Sequence, residues 1–378
     1  MSIYKELGIE PILNAGGTLT TLGGSLMLPE VVEAMAQASR AFVPIAELHL
    51  AAGRRIAELV GVEAAHVCAG AAAGIALMAA ACMAGTDEEK IRQLPDTTGM
   101  RSTFVVHRNH RHGYDQALRV AGGTFVEIEA DAGELERAVQ APGVAGVFYT
   151  IAWNLHGEVL PLPQVAEIAH AHGVPVLVDA AAEVPPVENL WRFVKEGADL
   201  VAFSGGKALR GPQSTGLILG RADLIEACRL NDCPNYSIGR AMKTGKEDIA
   251  GLLKAVELYV NRDHVAEGLV WDRRVARVLE TLERLPGVQA RRQLPYGVGQ
   301  QIPHAAIAWD EAALGITCEE LRQRLLEGRP RIAVQVVDSA KYPRGGFARP
   351  EVRVHPHTLR EGEEVVVAEQ IKEMLAGS

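Results

Sequence analysis

Lys207 follows the apolar run Leu200-Val201-Ala202-Phe203 and the turn Ser204-Gly205-Gly206. A short apolar run bounded by turn residues reads as a buried strand, so the spacing sets a lysine just past a strand's carboxyl end. An amine held partly out of water there has a lowered pKa and can form imines. The plainer alternative is a solvated loop lysine, which leaves the Ser-Gly-Gly context unexplained. Ser204 brings a hydroxyl that can donate to an anion.

Two more features lie upstream. Asp179 ends the run Val174-Pro175-Val176-Leu177-Val178. A carboxylate there either caps a following helix or holds a proton on a heteroaromatic nitrogen at the mouth of a sheet. The segment Ala69-Gly70-Ala71-Ala72-Ala73-Gly74 opens a strongly helical stretch. Its small side chains either serve close helix packing or let backbone N–H groups approach a phosphate, which the helix dipole favours.

Competing motifs fail on spacing. Val201 stands where a P-loop needs its first glycine, and Ala208 follows the lysine in place of Ser or Thr. Residues 69–74 lack the first glycine pair of a dinucleotide fingerprint. The run His107-Arg108-Asn109-His110-Arg111-His112 has no matching carboxylate or cysteine set, so no metal is expected.

The elements that must position these groups follow from periodicity. Thr103–Val106, Gly146–Thr150, Val174–Val178, Leu200–Phe203 and Gly216–Leu219 read as strands, with amphipathic helices such as Leu162–His172 between them. Strands apolar throughout and separated by helices indicate a mostly parallel sheet covered on both faces. Ligands on such sheets bind beyond the strands' carboxyl ends. Residues 246–262 read as a long helix leading to a smaller α+β domain that closes with Glu363–Leu375. The expected division is an N-terminal segment at 1–40, a large α/β domain at 41–262 and a small α+β domain at 263–378.

The 378 residues carry a net charge of −9, which argues against a broad nucleic-acid surface. No apolar run reaches the roughly 18–20 residues a bilayer demands, and the first residues carry no apolar leader. Five scattered cysteines, Cys68, Cys82, Cys228, Cys233 and Cys318, suit a reducing compartment, so a cytoplasmic protein without membrane or nucleic-acid partners is expected.

The order of small-residue helix start, Asp179, then Ser204-x-x-Lys207 resembles the aminotransferase (fold-type I) superfamily of pyridoxal-phosphate enzymes. Asn14-Ala15-Gly16-Gly17-Thr18-Leu19-Thr20, Asp179-Ala180-Ala181-Ala182-Glu183, Phe203-Ser204-Gly205-Gly206-Lys207, Gly211-Pro212-Gln213 and Gly239-Arg240-Ala241-Met242-Lys243 are similar to the branch holding selenocysteine synthases and D-glucosaminate-6-phosphate ammonia-lyases. The resemblance spans nearly the whole chain. It implies Lys207 as the Schiff-base lysine and Cα proton shuttle, and Asp179 as partner of the pyridinium nitrogen. It implies Ala71, Ala72 and Ser204 as phosphate ligands. His110, with His112 second, would stack on the ring, and Asn154 would touch the cofactor's face. Arg353 matches the region where such enzymes bind a substrate carboxylate, and a guanidinium suits that task. The basic group Arg240, Lys243 and Lys246 would take a phosphate, or else be a solvated helix start.

Pyridoxal phosphate labilises bonds at Cα and the protein selects the outcome. The expected function is a lyase of elimination or ammonia-lyase type acting on an amino acid or amino sugar acid. Aldolase and racemase chemistry are the alternatives, as is a non-catalytic binding module. A selenium transfer on seryl-tRNA is disfavoured by the acidic balance and by how early the Asn14-Ala15-Gly16 motif stands. The Gly- and Thr-rich segment Asn14–Leu28 is expected to pack at a dimer interface, giving a homodimer or larger homo-oligomer with shared active sites.

Overall fold

The computed structural model describes residues 3–152, 157–295, 299–338, 347 and 349–376. Among them lie strands β1 (Leu13–Ala15), β2 (Ala64–Cys68), β3 (Thr103–His107), β4 (Thr124–Ile128), β5 (Val144–Thr150), β6 (Val176–Asp179) and β7 (Leu200–Ser204). They continue with β8 (Gly216–Gly220), β9 (Val288–Gln293), β10 (His304–Trp309), β11 (Ile332–Asp338) and β12 (Pro350–Val354). The chain divides into two compact units, Leu26–Arg262 and the combination of Met1–Ser25 with Asp263–Ser378.

The large unit is built on a seven-stranded sheet in the order β2-β8-β7-β6-β5-β3-β4. β7, β6, β5, β3 and β4 run parallel, and β8 runs antiparallel to both β7 and β2. The mostly parallel α/β architecture expected from the sequence is therefore present. Every residue of β5 and β6 is buried, as strands covered on both faces require. β4 lies at the edge, with Glu127 exposed.

The helix Ala71–Ala84 has no polar side, and its residues from Ala73 onward are buried except Cys82. A helix apolar all round belongs inside a protein. It packs on β7 and β8 and against the helix Ala222–Leu230. Gly74 lets it sit close: a Cβ there would lie 3.2 Å from Cys68 Sγ and 3.3 Å from Ile218.

The structure divides the N-terminal segment that the sequence pattern groups as 1–40. Residues 1–25 fall with the C-terminal unit, where β1 pairs in parallel with β11. Residues 26–40 fall in the large unit, because the helix Pro29–Ala38 buries Val31 and packs along the helix Lys246–Val260.

The smaller unit carries the sheet β1-β11-β12-β10-β9. One face, including Ile307, Trp309, Val352 and Val354, packs with apolar residues of the helices His264–Leu282, Cys318–Glu327 and Glu363–Ala376. Side chains alternate along a strand, so Glu351 and Arg353 take the other face of β12.

Candidate active site

β7 ends at Ser204, and the next residues fold back tightly. Gly205 N–H donates to Thr215 O at 2.8 Å, Gly211 N–H to Gly205 O at 2.8 Å and Arg210 N–H to Lys207 O at 3.0 Å. Both turn glycines are sterically required. A Cβ on Gly205 would lie 2.1 Å from Thr215 Oγ1, and one on Gly206 would lie 2.5 Å from Gln213 Cα. Arg210 has φ 58°, the one positive φ among described non-glycine residues. Its Nε donates to Leu26 O at 2.9 Å, which helps hold this disfavoured conformation.

Lys207, half-buried, is thus fixed at the carboxyl edge of the sheet. Burial pushes its amine below the ordinary lysine range, while Asp179 and Glu183 pull it back up.

Asp179 is the last residue of β6, paired with Thr150 of β5 on one side and Ala202 of β7 on the other. It is no helix cap, since the next helix starts at Asn189. Its Oδ1 accepts Ala181 N–H at 3.0 Å. Burial pushes its carboxyl above the ordinary range, opposed by that hydrogen bond and by Lys207 and His112. Glu183, four residues on, is also buried.

The register brings the small-residue segment to the same edge. Gly216 of β8 pairs with Ser204 on one side and Cys68 on the other. Two residues past Cys68, Gly70 turns with φ 94° into the helix beginning at Ala71, and no side chain caps that start. The first N–H groups of this helix therefore point out at the sheet's edge without an intrahelical acceptor. A Cβ on Gly216 would lie 2.4 Å from Gly70 C and 2.8 Å from Ala71 N, so only glycine lets β8 pass here.

The histidine run separates into two environments. His110 is buried, accepts Thr150 N–H on Nδ1 at 3.3 Å and packs edge-on against Tyr149 at 4.5 Å. Burial, with His107 and His112 nearby, pushes its pKa down to about 3. His112 is half-buried and accepts Tyr114 N–H on Nδ1 at 3.1 Å. A backbone amide can only donate, so in the neutral ring Nε2 carries the proton, which it directs at Thr150 Oγ1 3.3 Å away. His112, the second choice from the sequence, is the imidazole that acts on Asp179.

The remaining expected residues are dispersed. Arg240 and Lys243 are exposed on the segment between two helices, and Lys246 is ion-paired with Glu247. Arg353 lies in the smaller unit, where its Nε donates to Glu351 at 2.6 Å. Asn154 lies outside the described residues. Sequence reasoning did not single out Glu183, Thr150 or Arg210. Glu183 had a signal, as a second carboxylate in the same short motif as Asp179.

Both the sequence and the fold match known proteins. The class-V aminotransferase family matches residues 45–235. A 5'-C-glycyluridine monooxygenase-decarboxylase of Streptomyces is 35% identical, the match covering 98% of this chain and 92% of the relative. A D-glucosaminate-6-phosphate ammonia lyase of Salmonella typhimurium is 31% identical, covering 99% and 98%. The solved structure of a D-glucosaminate-6-phosphate ammonia-lyase superposes with a TM-score of 0.84 at 29% identity, over 100% of this chain and 99% of that one. A Sphingomonas wittichii serine palmitoyltransferase superposes with a TM-score of 0.62 at 15% identity, a likeness of fold.

Proposed function

The chain belongs to the class-V aminotransferase family of pyridoxal-phosphate enzymes, and on that premise we propose that it is a lyase removing ammonia from an amino sugar acid or related amino acid. The residues at the sheet's carboxyl edge fit the cofactor group by group. An amine, a buried carboxylate and an uncapped helix start with close-packed glycines face the needs of a carbonyl, a ring nitrogen and a phosphate. Bound pyridoxal phosphate supplies a carbonyl that captures the substrate's amine and a ring that draws electron density from Cα.

In this reading Lys207 Nζ would hold the cofactor's carbonyl carbon and would take a proton from substrate Cα. Its burial favours the neutral, basic amine that this step needs. Asp179 holds a proton on the ring nitrogen, and the cation it faces offsets the cost of burying its charge. The N–H groups of Ala71 and Ala72 and the Ser204 hydroxyl hold the phosphate. His112 would lie against the ring, while His110 accepts the N–H of Thr150, whose hydroxyl His112 meets. Arg240, exposed in the same unit, would take an anionic group of the substrate.

The observation that carries the reading is the register itself, which sets Asp179 between Thr150 and Ala202 at the same edge as Ser204, Gly216 and Cys68. Support for an amino sugar acid comes from the ammonia-lyase relative, matched over 98% of its length. The test is ammonia release from a panel of D- and L-amino acids and amino sugar acids, with and without a 6-phosphate. Release that vanishes in Lys207→Ala supports the reading. Oxygen consumption with carbon dioxide release, and no ammonia, would favour the oxidative decarboxylation suggested by the Streptomyces relative at 35% identity.

We place the enzyme in the cytoplasm as a homodimer or larger homo-oligomer with shared sites. Support comes from apolar side chains exposed on the single chain, including Leu26, Val32 and a fully exposed Phe42. Mixing Lys207→Ala with a chain lacking residues 1–25 tests this: shared sites restore part of the activity, and confirmed subunit exchange without recovery counts against them.

A further inference from the structure

We propose that the buried pair His66–Asp232 positions Arg240: it fixes the loop that presents this arginine, and so sets how tightly the chain takes an anionic ligand. The proposal rests on the reading of Arg240 given above. No chemistry assigned so far uses either residue, yet His66 and Asp232 are each 1% exposed.

His66 stands in the middle of β2 and turns its Nε2 to Asp232 Oδ2 at 2.8 Å. A carboxylate only accepts, so Nε2 donates. Burial of a carboxylate this complete calls for such a partner. The ring is also held by the helix Ile45–Val60, whose His49 stacks on it at 4.8 Å with the planes 28° apart. That helix sits hard against β2: a Cβ on Gly53 would lie 2.3 Å from Ala65 O. The donor is therefore fixed by strand and helix together.

Asp232 opens the loop. Its Oδ1 takes Cys233 N–H at 2.6 Å, and its carbonyl takes Asn235 Nδ2 at 3.0 Å. The neighbouring Asn231 O accepts the Ser237 hydroxyl at 2.7 Å and Gly239 N–H at 2.9 Å. Asp232 and Gly239 meet as a β-bridge, and a Cβ on Gly239 would lie 2.6 Å from Asp232 Cα, so only glycine lets the loop close here. Arg240 follows at once. Its N–H donates to Ser237 O at 3.0 Å, and Met242 N–H donates to Gly239 O at 2.8 Å. Ile238 and Met242, two residues to either side, pack on the apolar core, while Arg240 stays exposed. The arginine thus stands on a loop closed on Asp232, and Asp232 is closed on His66. A cation on a loose loop must be ordered at binding, which weakens it; one on a closed loop is ordered beforehand.

The test uses the full-length, cofactor-loaded chain. The probe is 6-phosphogluconate, an amine-free sugar acid with a carboxylate and a phosphate, and calorimetry measures its Kd. Arg240→Gln should weaken binding about tenfold or more, as loss of a charge-assisted contact does. Asp232→Ala should weaken it in the same direction, and adding Asp232→Ala to Arg240→Gln should weaken it no further, because the carboxylate acts through that arginine. His66→Gln keeps a donor of similar reach and should bind as the unaltered chain does. Hydrogen exchange across residues 233–243 should quicken about tenfold or more in Asp232→Ala and stay unchanged in His66→Gln. Losses that multiply in the double variant, or an unchanged Kd in folded Asp232→Ala, overturn the proposal. Should Asp232→Ala not fold, His66→Ala breaks the pair from the strand side and is read in the same way. A loss in Arg240→Gln without one in Asp232→Ala sinks the positioning role alone. A probe that the unaltered chain does not bind, or that Arg240→Gln binds equally well, sinks the reading of Arg240 and the positioning role with it.

Discussion

Asp179 and Thr150 stand side by side in the register of β6 and β5, and His112 reaches Thr150 Oγ1 at 3.3 Å. A buried carboxylate and a hydroxyl are thus set by strand pairing, an imidazole by the turn beyond β3, and Lys207 by the turn that follows β7.

Replacing Asp179 by Asn keeps the shape and removes the charge. Cofactor should be held more weakly, and exchange of the substrate's Cα proton should slow by about 10²-fold or more. Deuterium exchange into substrate followed by NMR measures it. Exchange at the unmodified rate would leave Asp179 a structural residue of the turn.

His112 and His110 should respond differently to alanine. Loss of His112 removes ring contact worth about 0.5–1.5 kcal/mol, a weakening of cofactor binding of roughly 2- to 13-fold with little change in Tm. Loss of His110 opens a buried site beside Tyr149 and should lower Tm first. Absorbance titration and thermal melts of both variants distinguish the two, and the reverse pattern would make His110 the ring's neighbour.

Gly216→Ala forces a methyl against Gly70 C and Ala71 N, where only backbone could give way. Overpacking of this kind costs about 1–3 kcal/mol, and it strikes the helix start proposed to hold phosphate. Tm should fall by several degrees and cofactor should be lost on dialysis. Gly268→Ala, whose Cβ meets nothing within 4 Å, is the control and should not destabilise the chain.

In the smaller unit, burial pushes His304 down to about 3, helped by Arg353, and pushes His357 down to about 4. Both start from an ordinary value of 6.5. Below that value the unfolded chain takes up protons that the folded one refuses, so stability is present above pH 6.5 and lost as pH falls toward 4. The slope should approach about 1.4 kcal/mol per pH unit for each imidazole. Denaturant titrations of wild type and a His304→Asn, His357→Asn pair should show the slope flattening. An equal slope in both would contradict the assignment.

The buried parallel strands were legible because each is a continuous apolar run closed by turn residues, and Lys207, Asp179 and Ser204 were legible as the polar residues at their ends. β2 was not. Its Ala-Ala-His-Val-Cys holds a buried His66 that looks out of place until Asp232 Oδ2 is seen 2.8 Å from its Nε2. β4 was missed because an edge strand bearing Glu127 alternates weakly. The choice between His110 and His112 is also invisible in sequence. Both rings accept a backbone amide on Nδ1 and differ in burial, which one short polar run does not reveal. Residues 26–40 were grouped with the N-terminus because their packing partner, the helix Lys246–Val260, lies some two hundred residues away.

The central claim is that this chain holds pyridoxal phosphate through Lys207. Reduction of the yellow protein with borohydride, followed by proteolysis and peptide mapping, tests it directly. The account predicts one pyridoxyl group per chain, on Lys207, and none in Lys207→Ala. A label on Lys243 or Lys246, or no label on a protein that binds the cofactor, would contradict it.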